Sequence, residues 1–259
     1  MSNPLREAIE TGEAVLGARA TTHAPTLIEV YGDLGLDFVW LDFEHGGPSP
    51  YDSGAFEAIA RAGDAAGIEP LVRLPSGDPP LVRKALDAGM RTLLIPRVDG
   101  PGDVRPAVEA SRFAYDGGPG ERGYGAGRPA RYGAELDAHV ERADDEVLVG
   151  AMIESRAAVE RIDEVLSVPD LGFAFVGPGD LSVSYGRPGE RDHPDVRGAI
   201  ETAREACLDA GVPIGFAAHS DDGAARALEA GYRLVRIGGE VGAVRDVLGD
   251  RLDALPGRA

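Results

Sequence analysis

Eight short apolar runs recur along the chain, all but the first trailed by a helical pattern, and few folds can absorb that alternation. The runs are "AVLGARA" (14–20), "LDFVWLDF" (36–43), "EPLVRLP" (69–75), "RTLLIPRV" (91–98), "EVLVGAMIE" (146–154), "LGFAFVGP" (171–178), "VPIGFAAH" (212–219) and "YRLVRIGG" (232–239). Their near-continuous apolar character is that of strands covered on both faces, as in parallel sheets. Helical patterns occupy 53–66, 79–88, 102–113, 156–167, 195–210, 221–230 and 240–249. Gly67, Gly89, Gly211 and Gly231 stand just before strands, where the end of a helix favours the left-handed backbone. Eight units in 259 residues predict one α/β domain over 1–259, a closed (β/α)8 TIM barrel, rather than an open doubly wound sheet. One stretch breaks the rhythm. "YDGGPGERGYGAGRPARYG" is a loop insertion at about 115–134, read as a lid, a subunit contact or a surface excursion.

The formal net charge of −18 argues against nucleic acid or anionic membranes as partners, because both demand basic patches. No apolar run approaches a membrane span, and "MSNPLREAIETG" lacks the basic and apolar regions of a signal peptide, so a cytoplasmic protein is expected. Cys207 is the only cysteine, which removes disulfide frameworks and cysteine-rich metal sites and leaves it a packing role. Lys84 is the only lysine and lies in an amphipathic helical stretch beside Arg83. A Schiff-base enzyme needs a desolvated amine, so imine chemistry is not expected. Dispersed acidity, scarce lysine and abundant Ala, Gly and Arg together read as salt adaptation, with a biased genome as the plain alternative.

A barrel of this kind gathers its active-site groups at the C-terminal ends of its strands. Read in order, those ends carry Glu44 and His45, Arg73, Arg97 and Asp99, Glu154, Asp180 and His219. Glu154 and Asp180, on neighbouring strand ends, are hard oxygen ligands suited to Mg²⁺, Mn²⁺ or Co²⁺. Their alternatives are a helix cap for Asp180 and a salt bridge to Arg156 for Glu154. Arg73 offers a planar fork to a carboxylate or enolate oxygen, or else forms a structural ion pair. His45 titrates in the range a general base needs, and Gly46 and Gly47 keep its loop clear of bulk. His219 reads as ambiguous, while His23, His139 and His193 fall in loop or helix-surface contexts. A divalent ion, an arginine and a base describe proton abstraction beside a carbonyl, as in aldol addition or cleavage of a 2-oxo acid.

Six segments carry a resemblance over nearly the whole chain: "DFEHG", "LVRLP", "ALDAGMRTLLIPRV", "RGYGAGRPARYG", "AMIES" and "FVGPGDLSVSYG". In their order and spacing the chain resembles the HpcH/HpaI family of class II, metal-dependent pyruvate aldolases. That resemblance implies cleavage of 4-hydroxy-2-oxo acids, either 2-keto-3-deoxy sugar acids or the 4-hydroxy-2-oxoheptanedioate type, to pyruvate and an aldehyde. It implies His45 as base, Asp87 as the carboxylate raising its basicity, and Arg73 as the enolate-stabilising cation. Glu154 and Asp180 would bind the ion, Glu44 would hold its water shell, and the N–H groups of Gly179 and Asp180 would receive the pyruvate carboxylate. It further implies a homohexamer that exchanges its last helix, here "EVGAVRDVLGDRLDAL" (240–255). Met152 departs from the pattern, standing where well-known members carry a substrate-contacting glutamine. Other readings are a citrate-lyase-like acyl-CoA lyase, an oxaloacetate decarboxylase on the same enolate chemistry, and a non-catalytic barrel that binds small acids.

Overall fold

The computed structural model describes residues 3–255. Eight parallel strands close a barrel: β1 (Val15–Arg19), β2 (Phe38–Asp42), β3 (Glu69–Arg73), β4 (Thr92–Ile95), β7 (Leu148–Ile153), β8 (Phe173–Val176), β9 (Ile214–Ala217) and β10 (Leu234–Gly239). Strands β5 (Ala114–Tyr115) and β6 (Gly118–Pro119) form a separate antiparallel hairpin. Around the barrel order β1-β10-β9-β8-β7-β4-β3-β2, every neighbour is parallel. All eight expected strands are present, each trimmed at one or both ends to the hydrogen-bonded ladder.

The two-residue alternation of a strand divides each sequence between two cores. On β2, Phe38 and Trp40 face the interior with Leu71, Leu94, Met152, Phe173, Phe175 and Leu234. Val39 and Leu41 point outward into the larger layer between strands and helices. Glycines on adjacent strands make room for the interior rings. A Cβ on Gly17 would lie 2.4 Å from the Phe38 ring, one on Gly150 2.4 Å from Phe173, and one on Gly215 2.2 Å from Phe175.

The helices are α1 (Pro4–Glu10), α2 (Pro25–Asp33), α3 (Ser53–Ala66), α4 (Pro79–Asp87), α5 (Pro101–Ala110), α6 (Leu136–Glu146), α7 (Arg156–Glu160), α8 (Ile162–Leu166), α9 (Pro178–Ser184), α10 (Pro194–Ala210), α11 (Asp221–Glu229) and α12 (Glu240–Asp253). The pattern at 156–167 predicts one helix; the chain breaks it at Arg161 (φ −116°), between α7 and α8. Helices α1, α2, α6 and α9 are additions to the sequence reading. Capped by Asn3, α1 delivers Leu5 and Ile9 into the interior cluster. The glycines at 67, 89, 211 and 231 all have positive φ, as their positions before strands require.

The insertion joins α5 to α6, a connection that begins and ends at the N-terminal side of the barrel. It lies against the outside of α3 and α4, where Arg128 pairs with Asp64 at 2.5 Å and the Tyr132 hydroxyl meets Arg61 at 3.0 Å. A lid over the strand C-terminal ends of its own chain is therefore the wrong reading, because this connection starts from the opposite side. Helix α12 contributes no buried residue and exposes Val241, Val244, Val247, Leu248 and Leu252.

Candidate active site

At the C-terminal ends of the strands, the residues expected from sequence converge around one that sequence reasoning passed over. Asp42 ends β2 on the interior face, two residues beyond Trp40, and is only 1% exposed. Its carboxylate holds Arg73 through two contacts, Nε to Oδ1 at 3.0 Å and Nη2 to Oδ2 at 2.5 Å. Arg19 on β1 donates to the same Oδ2 at 3.2 Å. The backbone N–H groups of Glu44 and His45 donate to Oδ1 at 3.1 and 3.3 Å, which fixes the turn carrying both side chains. Burial would push the Asp42 carboxyl up, yet the Arg73 bonds, the His45 N–H and Arg19 together hold it below its ordinary value. The signal in sequence was a carboxylate in phase with Phe38 and Trp40 on an otherwise apolar strand.

Arg73 is buried and uses its remaining nitrogen, Nη1, on Glu44 at 2.9 Å. The same Nη1 comes within 3.6 Å of the Met152 sulfur, a soft neighbour where a glutamine would offer a hydrogen bond. His45 is exposed at the rim, with its Nε2 3.5 Å from Glu44 Oε2. A Cβ on Gly46 would meet only the Asp42 carbonyl, at 3.7 Å. Gly47 is tighter: its φ is 76° and a Cβ added there would meet the His23 ring at 2.3 Å, so it serves a tight turn packed on that histidine. His23 lies in a loop as expected but is buried, and His139 faces inward from α6 rather than lying on a helix surface. His23 packs edge-on against Phe43, and His139 faces Phe113 under the insertion.

Glu154, just beyond β7, is 5% exposed. Its Oε1 accepts the Arg97 N–H at 2.7 Å, a bond made possible by the left-handed backbone of Arg97 (φ 54°). Its Oε2 is buried without a partner. Burial and the nearby charges of Asp180 and Glu44 raise its pKa, with the Arg97 N–H acting in the other direction. The packing against Gly177 leaves no side-chain space on that side, since a Cβ there would sit 2.9 Å from Oε2. Asp180 and Gly179 lie in the first turn of α9, whose N–H groups have no intrahelical acceptor. No Arg156 partner for Glu154 is formed.

An orphaned buried carboxylate oxygen beside a second carboxylate is a donor set that fits a hard divalent cation. No group of three or more His, Cys, Asp or Glu side chains arranged for an ion occurs among the described residues. Two protein carboxylates are what an ion keeping sites for water and a chelating substrate would need.

Asp87 is not part of this cluster. Helix α4 runs away from the strand C-terminal ends, so its last residue lies about 13 Å along the helix from its start. There the carboxyl is half-buried beneath Gly125 and Gly127, among Arg122, Arg83 and Lys84, and burial raises its pKa. Lys84 lies on the same helix, remote from the strand ends. Cys207 is fully buried, with its thiol raised to about 12 by burial, as a packing residue should be.

The family profile of the HpcH/HpaI aldolase/citrate lyase group matches residues 20–246. The chain belongs to that family. A 2-keto-3-deoxy-L-rhamnonate aldolase of Escherichia coli is 33% identical over 254 residues, covering 97% of this chain and 92% of that protein. An HpcH/HpaI aldolase/citrate lyase family protein from Burkholderia cenocepacia superposes with a TM-score of 0.90 at 33% identity, over 97% of this chain and 98% of that one. The HpcH/HpaI aldolase of Desulfitobacterium hafniense gives 0.86 at 28% identity, over 98% of both chains. Membership makes the chain a carbon–carbon lyase of the class II aldolase type.

Proposed function

We propose that the chain cleaves 4-hydroxy-2-oxo acids reversibly to pyruvate and an aldehyde, with a divalent cation held by Glu154 and Asp180. The observation that carries this reading is the buried, unpartnered Oε2 of Glu154 beside Asp180, in the same barrel mouth as the Arg73 guanidinium anchored on Asp42. When bound, Mg²⁺, Mn²⁺ or Co²⁺ would supply Lewis acidity toward the keto oxygen of the substrate. Arg73, desolvated and oriented by Asp42, stabilises the negative charge that develops on that oxygen as the C3–C4 bond breaks. The electron pair of that bond becomes the enolate of pyruvate, and the 4-hydroxyl proton leaves to a base as the aldehyde forms. His45 is the residue at the rim able to take that proton. A proton then returns to C3 to give pyruvate. Glu44, tied to Arg73 and close to His45, would help hold water near a bound ion. Gly179 and Asp180 offer backbone N–H groups toward the pyruvate carboxylate.

Asp87 can support His45 only from a neighbouring copy, given its distance within one chain. A multi-subunit assembly, a hexamer in the family pattern, suits this, and α12 suits it too. The apolar side of α12 is uncovered, and the groove beside β10, where an eighth barrel helix would pack, is lined by Leu34, Leu36 and Ile237. Exchange of α12 between copies would cover both. Isotope exchange at the methyl group of pyruvate tests the base without an aldehyde. His45→Ala is expected to slow metal-dependent exchange about 100-fold or more; exchange at the native rate would remove His45 from the mechanism.

A further inference from the structure

A protein of net charge −18 nevertheless brings Arg19, Arg73, Arg191 and Arg236 to the mouth of its barrel. Arg73 is occupied by Asp42 and Glu44, and Arg19 shares Asp42. Arg236 on β10 is different. Half-buried, it stacks over Trp40 at 5.3 Å and makes no hydrogen bond or ion pair with any described residue. Its electrostatic neighbours are Arg19, Arg73 and Arg191, opposed by Asp42 alone. Burial, and then Arg19 and Arg73, pull its pKa down to about 10. Arg191, on the loop between α9 and α10, donates from Nη1 to His219 Nε2 at 3.0 Å at the end of β9. Glu240, the other acid nearby, spends Oε1 on the N–H groups of Thr21 and Thr22, at 2.5 and 2.9 Å, while its Oε2 is buried without a partner. Like charges concentrated in a half-buried cleft raise the free energy of the empty site, and an anion would relieve that repulsion.

The charges are also segregated around the barrel. Glu44, Glu154 and Asp180 follow β2, β7 and β8, while Arg19, Arg236, His219 and Arg191 belong to β1, β10, β9 and the loop after α9. We infer that Arg236, Arg19, Arg191 and His219 form a second anion subsite, which receives a carboxylate or phosphate on the aldehyde portion of the substrate. This rests on the aldol reading and narrows it: the preferred 4-hydroxy-2-oxo acid is dianionic, its far end carrying a charge that a deoxy-sugar acid with a methyl terminus lacks. Arg236 gives the inner contact against Trp40, and Arg191 with His219 closes the outer side.

The test is aldol addition of pyruvate, with saturating divalent cation, to three acceptors: succinic semialdehyde, glyceraldehyde 3-phosphate and butanal. The native protein is expected to favour a charged acceptor over butanal by about 30-fold or more in kcat/KM, as two charge-assisted bonds would give. Comparing the first two acceptors separates carboxylate from phosphate recognition. Arg236→Met should reduce the preference to a few-fold, mainly through KM, and Arg236→Lys should restore part of it. Arg191→Met, at the exposed rim, should reduce it too without disturbing the core. Trp40, the only tryptophan, supplies a readout independent of turnover and metal. Succinate should change its emission saturably, succinamide should not, and Arg236→Met should abolish the response. Equal use of charged and neutral acceptors, a preference that survives Arg236→Met, or no saturable response to succinate would overturn the inference. Failure of the aldol reading looks different: no addition to any acceptor and no exchange of pyruvate methyl protons.

Discussion

Asp42 is the residue on which most of the site geometry depends. It fixes the Arg73 fork, shares Arg19, and pins the N–H groups of Glu44 and His45, all from a position almost closed to solvent. Asp42→Asn retains the shape but leaves the guanidinium short of charge and misorients it. We expect kcat to fall about 10- to 100-fold with a folded protein, as steady-state kinetics and thermal melting would show. A second prediction concerns His139, whose pKa is lowered to about 4 by burial, then by Arg122 and Arg142. Below about pH 6.5 the unfolded chain takes up a proton on this histidine that the folded chain refuses until about pH 4. Stability therefore falls as pH drops through that window, by about 2 kcal/mol between pH 7.5 and 5. Urea unfolding at the two values should show a smaller loss for His139→Gln. Both residues were poorly legible in sequence. Asp42 hides in the run "VWLDF", where the carboxylate looks like the start of a turn, and His139 sits in a polar stretch whose cover, from Phe113 and Arg122, depends on how the neighbouring insertion folds back. His45, Arg73, Glu154 and Asp180 were legible because strand ends in a barrel share one face.

Elements were easiest to read where their periodicity is set by the barrel itself. Eight strands announce themselves because burial on both faces leaves long apolar runs, and the glycines before them mark helix ends. The pairing of Gly17, Gly150 and Gly215 with aromatic rings was not visible, since it depends on register between strands. It makes a firm demand: Gly150→Val would drive two methyl groups into Phe173. We expect a loss of about 3 kcal/mol, near the upper end for overpacking, and a Tm lower by roughly 10 °C in calorimetry. Unchanged stability would mean that the interior layers are looser than the geometry requires. The short helices α2 and α9 escaped detection because Pro and Gly punctuate their sequences. The insertion misled for a topological reason. Its Gly-rich composition reads as an active-site lid, but whether a loop joins strand to helix or helix to strand decides which end of a barrel it leaves from.

At the scale of the whole molecule, the protein is an acidic shell around a mouth of segregated charge, with an apolar helix that its own barrel does not cover. No described helix is long and apolar enough to cross a membrane. The proposed chemistry of this mouth is cleavage of a carbon–carbon bond beside a 2-oxo acid with the help of a cation on Glu154 and Asp180. The most direct measurement is pyruvate release from a panel of 4-hydroxy-2-oxo acids in high salt, before and after exhaustive chelation with EDTA. Release should disappear on chelation and return when Mg²⁺, Mn²⁺ or Co²⁺ is restored. Release that persists without any divalent ion, or no release from any member of the panel, would contradict it.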